Sequence, residues 1–161
     1  MKLQRDKRVQ EASDLQIRAM EVSRPLVEAR GHVVSIEIEA EPIVYGDTTR
    51  LTQVFLNLLN NAAKYTPNGG RIWLRAVQEE NDAVVSVRDT GIGIPEHMLS
   101  RIFDMYSQVH PEHQNMHSGL GIGLTLVKRL VELHGGSVSV RSAGPNQGTT
   151  VDVRLPVLEP E

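Results

Sequence analysis

A chain of 161 residues, 40% hydrophobic and 23% charged, is long enough to close one domain around a substantial core, and one domain is the expectation. A formal charge of -3, with no Lys/Arg cluster beyond the N-terminal MKLQRDKR, excludes the broad basic patch that nucleic-acid binding needs. With no cysteine there is no disulfide framework or thiolate metal site, and no apolar run reaches the length of a bilayer span or a signal-peptide core, so the chain reads as cytoplasmic and without direct membrane contact.

The first predicted element is a helix beginning at Ser13 or Asp14, both good caps, and stopping at Gly31. Its apolar residues are Leu15, Ile17, Met20, Val22, Leu26 and Val27. Pro25 lies inside it, so either the helix is kinked there or two shorter turns abut. The alternation VVSIEIE (33–39) and the short run 43–45 predict a β-hairpin or two edge strands. Asp47 caps a long helix that ends near Lys64, ahead of the turn cluster YTPNGG. Residues 71–77 and 83–88 alternate with period two across a polar link, which predicts a hairpin that delivers Asp89. A short helix is expected within 95–103, a polar loop with three histidines over 104–119, and a helix over 120–134 closed by Gly135. Strands over 137–142 and 149–155 end the domain. Helices and strands come in blocks rather than in strict βαβ alternation, which favours an α+β sandwich: one mixed sheet with helices packed on one face.

Three stretches carry chemistry. The helix after Asp47 has a core face of Leu51, Val54, Phe55, Leu58, Leu59 and Ala62, and roughly 100° around it a polar stripe of Arg50, Gln53, Asn57, Asn61 and Lys64. Three asparagines within five residues (Asn57, Asn60, Asn61) cost helix propensity, and solvated faces prefer Lys and Glu. The alternative to a solvated face is that the amide oxygens of Asn57 and Asn61 meet a hard cation while Lys64 serves phosphate oxygens. DTGIGIP (89–95) places two glycines and an acid directly after a β-branched strand, where a turn that merely ends the strand competes with a recognition loop. SGLGIGL (118–124) opens a helix, and its backbone N–H groups suit an anion, although the spacing is neither a Walker nor a dinucleotide pattern and equally suits a flexible hinge. Gly148 reads most simply as a turn into a strand.

Taken in order, NLLNNAAKYT (57–66), DTGIGIP (89–95), IFDMYSQV (102–109), SGLGIGL (118–124) and GTT (148–150) resemble the N, G1, F, G2 and G3 boxes of the catalytic ATP-binding domain of sensor histidine kinases. The resemblance covers nearly the whole chain, from about Ser13 to Pro156, with RPLVEARGH and LVELHGG also typical of that family. It implies a Bergerat-type two-layer α/β sandwich that binds ATP and Mg²⁺. Asp89 would accept a hydrogen bond from the adenine exocyclic amine, which a guanine carbonyl could not donate, with Gly91 and Gly93 letting the backbone pass beside the base. Asn61 would ligate Mg²⁺ with Asn57 close to the metal or its waters, and Lys64 and Tyr65 would flank phosphates and sugar. Gly119, Leu120, Gly121 and Gly123 would supply backbone contacts to the phosphates beneath a lid formed by 104–118. Ile94, Leu124 and Thr149 complete the implied nucleotide set, and Asn57 and Lys64 are the implied catalytic residues. The F box departs from the family pattern at Met105-Tyr106, and the lid carries histidines where basic residues are common.

The resemblance also bears on reaction type. Gyrase, the heat-shock chaperones and the mismatch-repair proteins share the fold but carry a Glu four residues before the metal-binding Asn, acting as base toward water. Asn57 stands there in this chain, and an amide cannot take that proton, so ATP is expected to be held for another acceptor. The family's phosphoacceptor box on a dimerisation domain is absent. His32, His97 and His134 read as surface or cap residues, and the triplet His110, His113 and His117 as a weak metal candidate. Residues 1–12 are accordingly expected to be the tail of a connection from that domain, 13–156 the catalytic domain and 157–161 a C-terminal tail. The expected partners are the dimerisation domain and a response regulator or receiver domain, the domain itself being a monomer, whether or not its parent is membrane-anchored. The rival readings are a non-catalytic nucleotide-sensing module and an anti-sigma-type serine kinase on the same fold.

Overall fold

The computed structural model describes residues 7–39, 41–103 and 120–158. In chain order the elements are β1 (Lys7–Glu11), α1 (Ala12–Ala29), β2 (Val33–Ile38), β3 (Ile43–Asp47), α2 (Thr48–Tyr65), β4 (Arg71–Glu79), β5 (Asp82–Asp89), α3 (Glu96–Leu99), α4 (Leu120–Leu133), β6 (Ser137–Arg141) and β7 (Thr149–Pro156). Five strands form one mixed sheet in the order β2-β4-β5-β7-β6, in which β2 and β4 run parallel and the other pairs antiparallel. β1 and β3 make a separate antiparallel pair.

The period of two in the strands explains the layering. Ile72, Leu74, Val85, Val87, Val153 and Leu155 alternate onto one face and meet Leu15, Leu51, Phe55, Leu59 and Leu130 of α1, α2 and α4 in a single core. The opposite face of the sheet carries Trp73, Arg75, Arg88 and Arg141, with the Arg88 guanidinium 4.6 Å above the Trp73 ring and Arg141 bridged to Asp152 at 2.9 Å. This is the two-layer sandwich expected from the blocks of predicted elements, and all six apolar residues predicted for the core face of α2 are buried.

Several local expectations change. The helix begins at Ala12, ahead of both predicted caps, because β1 feeds directly into it; Glu11 occupies the N-cap without a side-chain bond, and Ser13 is buried. Its core stripe runs through Ala12, Leu15, Gln16, Ala19, Ser23 and Val27, so the buried polar residues replace Val22, which is exposed. One continuous helix passes through Pro25 rather than two abutting turns; the proline ring is exposed, where water can serve the carbonyl its missing N–H leaves free. The segments 33–39 and 43–45 do not form a hairpin with each other. β2 is an edge strand of the main sheet, paired to β4, whereas β3 pairs with β1, because alternation defines a strand without naming its neighbour. Lys7–Glu11, expected within a connecting tail, forms the strand β1.

Both ends of α2 are fixed. Asp47 accepts the Arg50 N–H at 3.1 Å, as an N-cap should. The Asp47 N–H in turn donates to Nε2 of His134, 3.1 Å away, while His134 Nδ1–H donates to the Leu130 carbonyl at 2.7 Å. His134 directly follows α4, whose C-terminus closes with Gly135 at φ 77° and the Gly136 N–H on the Val131 carbonyl, a conformation glycine adopts without a steric penalty. A Cβ on Gly46 would meet His134 Cδ2 at 2.5 Å and Leu51 Cδ1 at 2.8 Å. We therefore expect Gly46→Ala to lower the unfolding free energy by about 1–3 kcal/mol in a urea titration, the usual range for overpacking a filled site.

Candidate functional site

The polar stripe on α2 is real but not a solvated face. Arg50, Gln53, Asn57, Asn61 and Lys64 are all half-buried. The three asparagines separate into two roles. Asn60 accepts a hydrogen bond from Ser23 Oγ at 2.9 Å and so joins α2 to α1. Asn57 and Asn61, one turn apart, make no side-chain hydrogen bond among the described residues, which leaves two amide oxygens on one face available to a ligand. Such oxygens suit a hard cation, and among the described residues no cluster of His, Cys, Asp or Glu competes for one.

The end of this helix leads into the glycine loop. Tyr65 is the last residue of α2, and its carbonyl accepts the Ile92 N–H at 3.1 Å. Burial pushes the Tyr65 phenol up to about 12, so its hydroxyl stays protonated and able to donate. Asp89 closes β5 on the helix-facing side, directly opposite Thr149 of β7, and its Oδ1 accepts the Gly91 N–H at 2.8 Å. Gly91 admits no side chain: a Cβ there would lie 2.7 Å from the Tyr65 carbonyl, 2.8 Å from Asp89 Oδ1 and 3.1 Å from Thr66 Oγ1. Gly93, at φ 72°, faces the Gly144 carbonyl so closely that any side chain would collide with it. Ile94 is buried beneath the loop.

Burial raises the Asp89 carboxyl from 3.8 to about 6, against the opposing pull of the Gly91 and Thr149 backbone N–H groups. A desolvated acceptor held by backbone at the mouth of a glycine loop is suited to a ligand donor such as an exocyclic amine.

The remaining predicted residues fall on α4 and the loop before it. Leu120, Gly121, Gly123 and Leu124 lie in its first turns, Leu124 being buried in the core. Thr125 Oγ1 donates to the Phe103 carbonyl at 2.8 Å, which fixes the start of α4 to the residue just ahead of the expected lid. Gly119, the lid and the histidine triplet lie outside the described residues.

Two residues read as surface or cap positions prove to be internal ties. His32 is buried; its Nε2–H donates to the Ala63 carbonyl at 2.8 Å and its Nδ1 accepts the Gly70 N–H at 3.2 Å. Ala63 belongs to the last turn of α2, so His32 at one end and His134 at the other hold the same helix, each as a neutral imidazole but in opposite tautomers. A histidine beside a helix-ending glycine gives no signal of this in the sequence.

The chain matches, over residues 46–159, the family model described as histidine kinase-, DNA gyrase B-, and HSP90-like ATPase. It is 40% identical over 114 residues to the circadian input-output histidine kinase CikA of Thermosynechococcus vestitus (strain NIES-2133 / IAM M-273 / BP-1), covering 71% of this chain and 16% of that protein. The mycobacterial sensor histidine kinase MprB superposes with a TM-score of 0.80 at 29% identity, covering 94% of this chain and 97% of that one. Full-length ShkA in complex with AMPPNP gives 0.83 at 26% identity, covering 99% and 32%. This chain thus spans about a sixth of the length of the first curated relatives it matches.

The Asp89 carboxyl makes a testable demand on stability. In the folded chain it holds its proton up to about pH 6, whereas the unfolded chain releases it near 3.8, so its contribution to stability falls as pH rises between those values and is flat above them. Asp89→Asn keeps an acceptor for the Gly91 N–H but removes the buried charge. Thermal unfolding should show the variant more stable than wild type at pH 8, by no more than about 3 kcal/mol, with the difference vanishing toward pH 4.

Proposed function

Because the chain belongs to the histidine kinase-, DNA gyrase B-, and HSP90-like ATPase family, we propose that it is the ATP-binding catalytic domain of a sensor histidine kinase, which donates the γ-phosphoryl group to a histidine on a separate dimerisation domain. The observation that carries this reading is the joint at Tyr65. The helix that carries the amides of Asn57 and Asn61, which have no side-chain hydrogen bond among the described residues, and the ammonium of Lys64 is joined by its last carbonyl to the loop that follows the desolvated acceptor Asp89. That arrangement offers a base-reading end and a phosphate end on one rigid support.

In this reading Asp89 accepts the exocyclic amine of adenine, Gly91, Gly93 and Ile94 form the wall beside the base, and Thr149 flanks Asp89 from β7. Asn61, with Asn57 a turn away, holds Mg²⁺, which neutralises phosphate charge when bound. Lys64 and Tyr65 reach the phosphates and sugar. The N–H groups of Gly119, Leu120, Gly121 and Gly123 cap the phosphates, with Leu124 anchoring that turn in the core. Asn57 cannot accept a proton from water, so the domain holds ATP intact and contributes position and electrostatics, while the nucleophile comes from elsewhere. The partners are then the dimerisation domain of the same parent and a response regulator or receiver domain, with the domain itself a cytoplasmic monomer. Among the described residues no helix is long and apolar enough to cross a membrane.

Calorimetric titration tests the binding half of this reading. ATP with Mg²⁺ should bind and GTP should not, and Gly91→Ala, whose methyl would press on Asp89 and the Tyr65 carbonyl, should weaken ATP by at least about tenfold while the protein stays folded. Addition of a dimerisation domain should then yield acid-labile phosphate on that domain and none on this chain. Phosphoserine on an added protein, or ATP binding with no transfer, would replace the kinase assignment with one of its rivals.

A further inference from the structure

The base-binding loop is held from two sides, and on the second side only Gly148, at its far end, belongs to one of the sequence motifs. Opposite the Tyr65 carbonyl stands the turn between β6 and β7, residues 142–148. The Asn146 N–H donates to the Ile92 carbonyl at 2.7 Å and the Gly148 N–H to the Gly91 carbonyl at 3.1 Å. At the centre is one side chain. Ser142 Oγ accepts the Ile94 N–H at 3.0 Å and the Gly144 N–H at 3.3 Å, and donates to the Gly148 carbonyl at 2.7 Å. A hydroxyl has one donor and two acceptor sites, so its capacity is filled by three backbone groups of two different loops.

We infer that Ser142 is a positioning residue for nucleotide recognition, clasping the loop 91–94 to the strand that carries Thr149; the inference rests on the ATP-binding reading above. The geometry leaves little slack on either side. Ile94 is buried, so its N–H has little access to water once the hydroxyl is removed. Gly148 directly precedes Thr149, the cross-strand partner of Asp89, so the same oxygen sets the loop that follows Asp89 and the residue beside it. A side chain on Gly93 would collide with the Gly144 carbonyl, so the loop and the turn lie in close contact beside the clasp.

The test compares wild type, Ser142→Ala and Ser142→Thr by titration with ATP and with ADP, alongside amide hydrogen exchange at Ile94 without nucleotide. Ser142→Ala should weaken ATP and ADP by the same factor of about ten, because the loop reads the base and not the γ-phosphate, and should speed exchange of the Ile94 amide. Ser142→Thr, which restores the hydroxyl, should recover both. Ser142→Ala binding ATP within about twofold of wild type, with Ile94 exchange unchanged, would overturn the inference. Failure of the wild type itself to bind ATP would instead overturn the functional reading, and the Ile94 exchange would still report whether the clasp exists.

Discussion

A helix leaves its last carbonyls without partners, and at the end of α2 those carbonyls are what hold the site together. Tyr65 gives its carbonyl to the Ile92 N–H, and Ala63 gives its carbonyl to His32. Water could satisfy both groups in an isolated helix. Here the first bond sets the glycine loop against the helix and the second, through the His32 ring, sets the helix against the start of β4, so these two ties add to the shared core of α2 and β5 in fixing Asp89 relative to Asn57 and Asn61. Gly91 follows from this constraint, since the approach it requires excludes even a methyl group.

The site is also where the chain departs from what stability alone would select. Asparagines occupy helix positions that Ala or Glu would fill at lower cost, and among the described residues Asn60 alone of the three recovers that cost through a side-chain bond to the protein. Asp89 sits desolvated with a carboxyl titrating near 6. Local rules broken together at one place, while the surrounding core obeys them, are the pattern expected of a surface shaped for a ligand.

Much of the architecture is legible in the order of the residues. The two stripes of α2 follow from a period of 3.6, the β4–β5 hairpin from alternation across a polar link, and the end of α4 from Gly135, because each is a local rule acting over a few residues. What leaves no mark in the sequence depends on distant partners. β2 and β3 look like neighbours but belong to different sheets. His32, His134 and Ser142 look ordinary until they meet backbone groups 31, 87 and 48 positions away. A hydroxyl or imidazole that bonds to the main chain leaves no periodic trace, so no inspection of spacing distinguishes it from a residue facing water.

The strand order has a further consequence for how such a domain is made. β7, the final strand of the domain, is not added at an edge but lies between β5 and β6. While a ribosome has released only the residues up to 148, those two strands have no direct pairing in the finished sheet, and a gap of about 10 Å, two strand spacings, remains to be filled between them. Asp89 then lacks Thr149 across from it, and the face it shares with α2 has no floor on that side. A nucleotide that stabilises the finished domain by mass action therefore offers the nascent chain little until the eight residues of β7 arrive, and its protection comes as a single late step in synthesis.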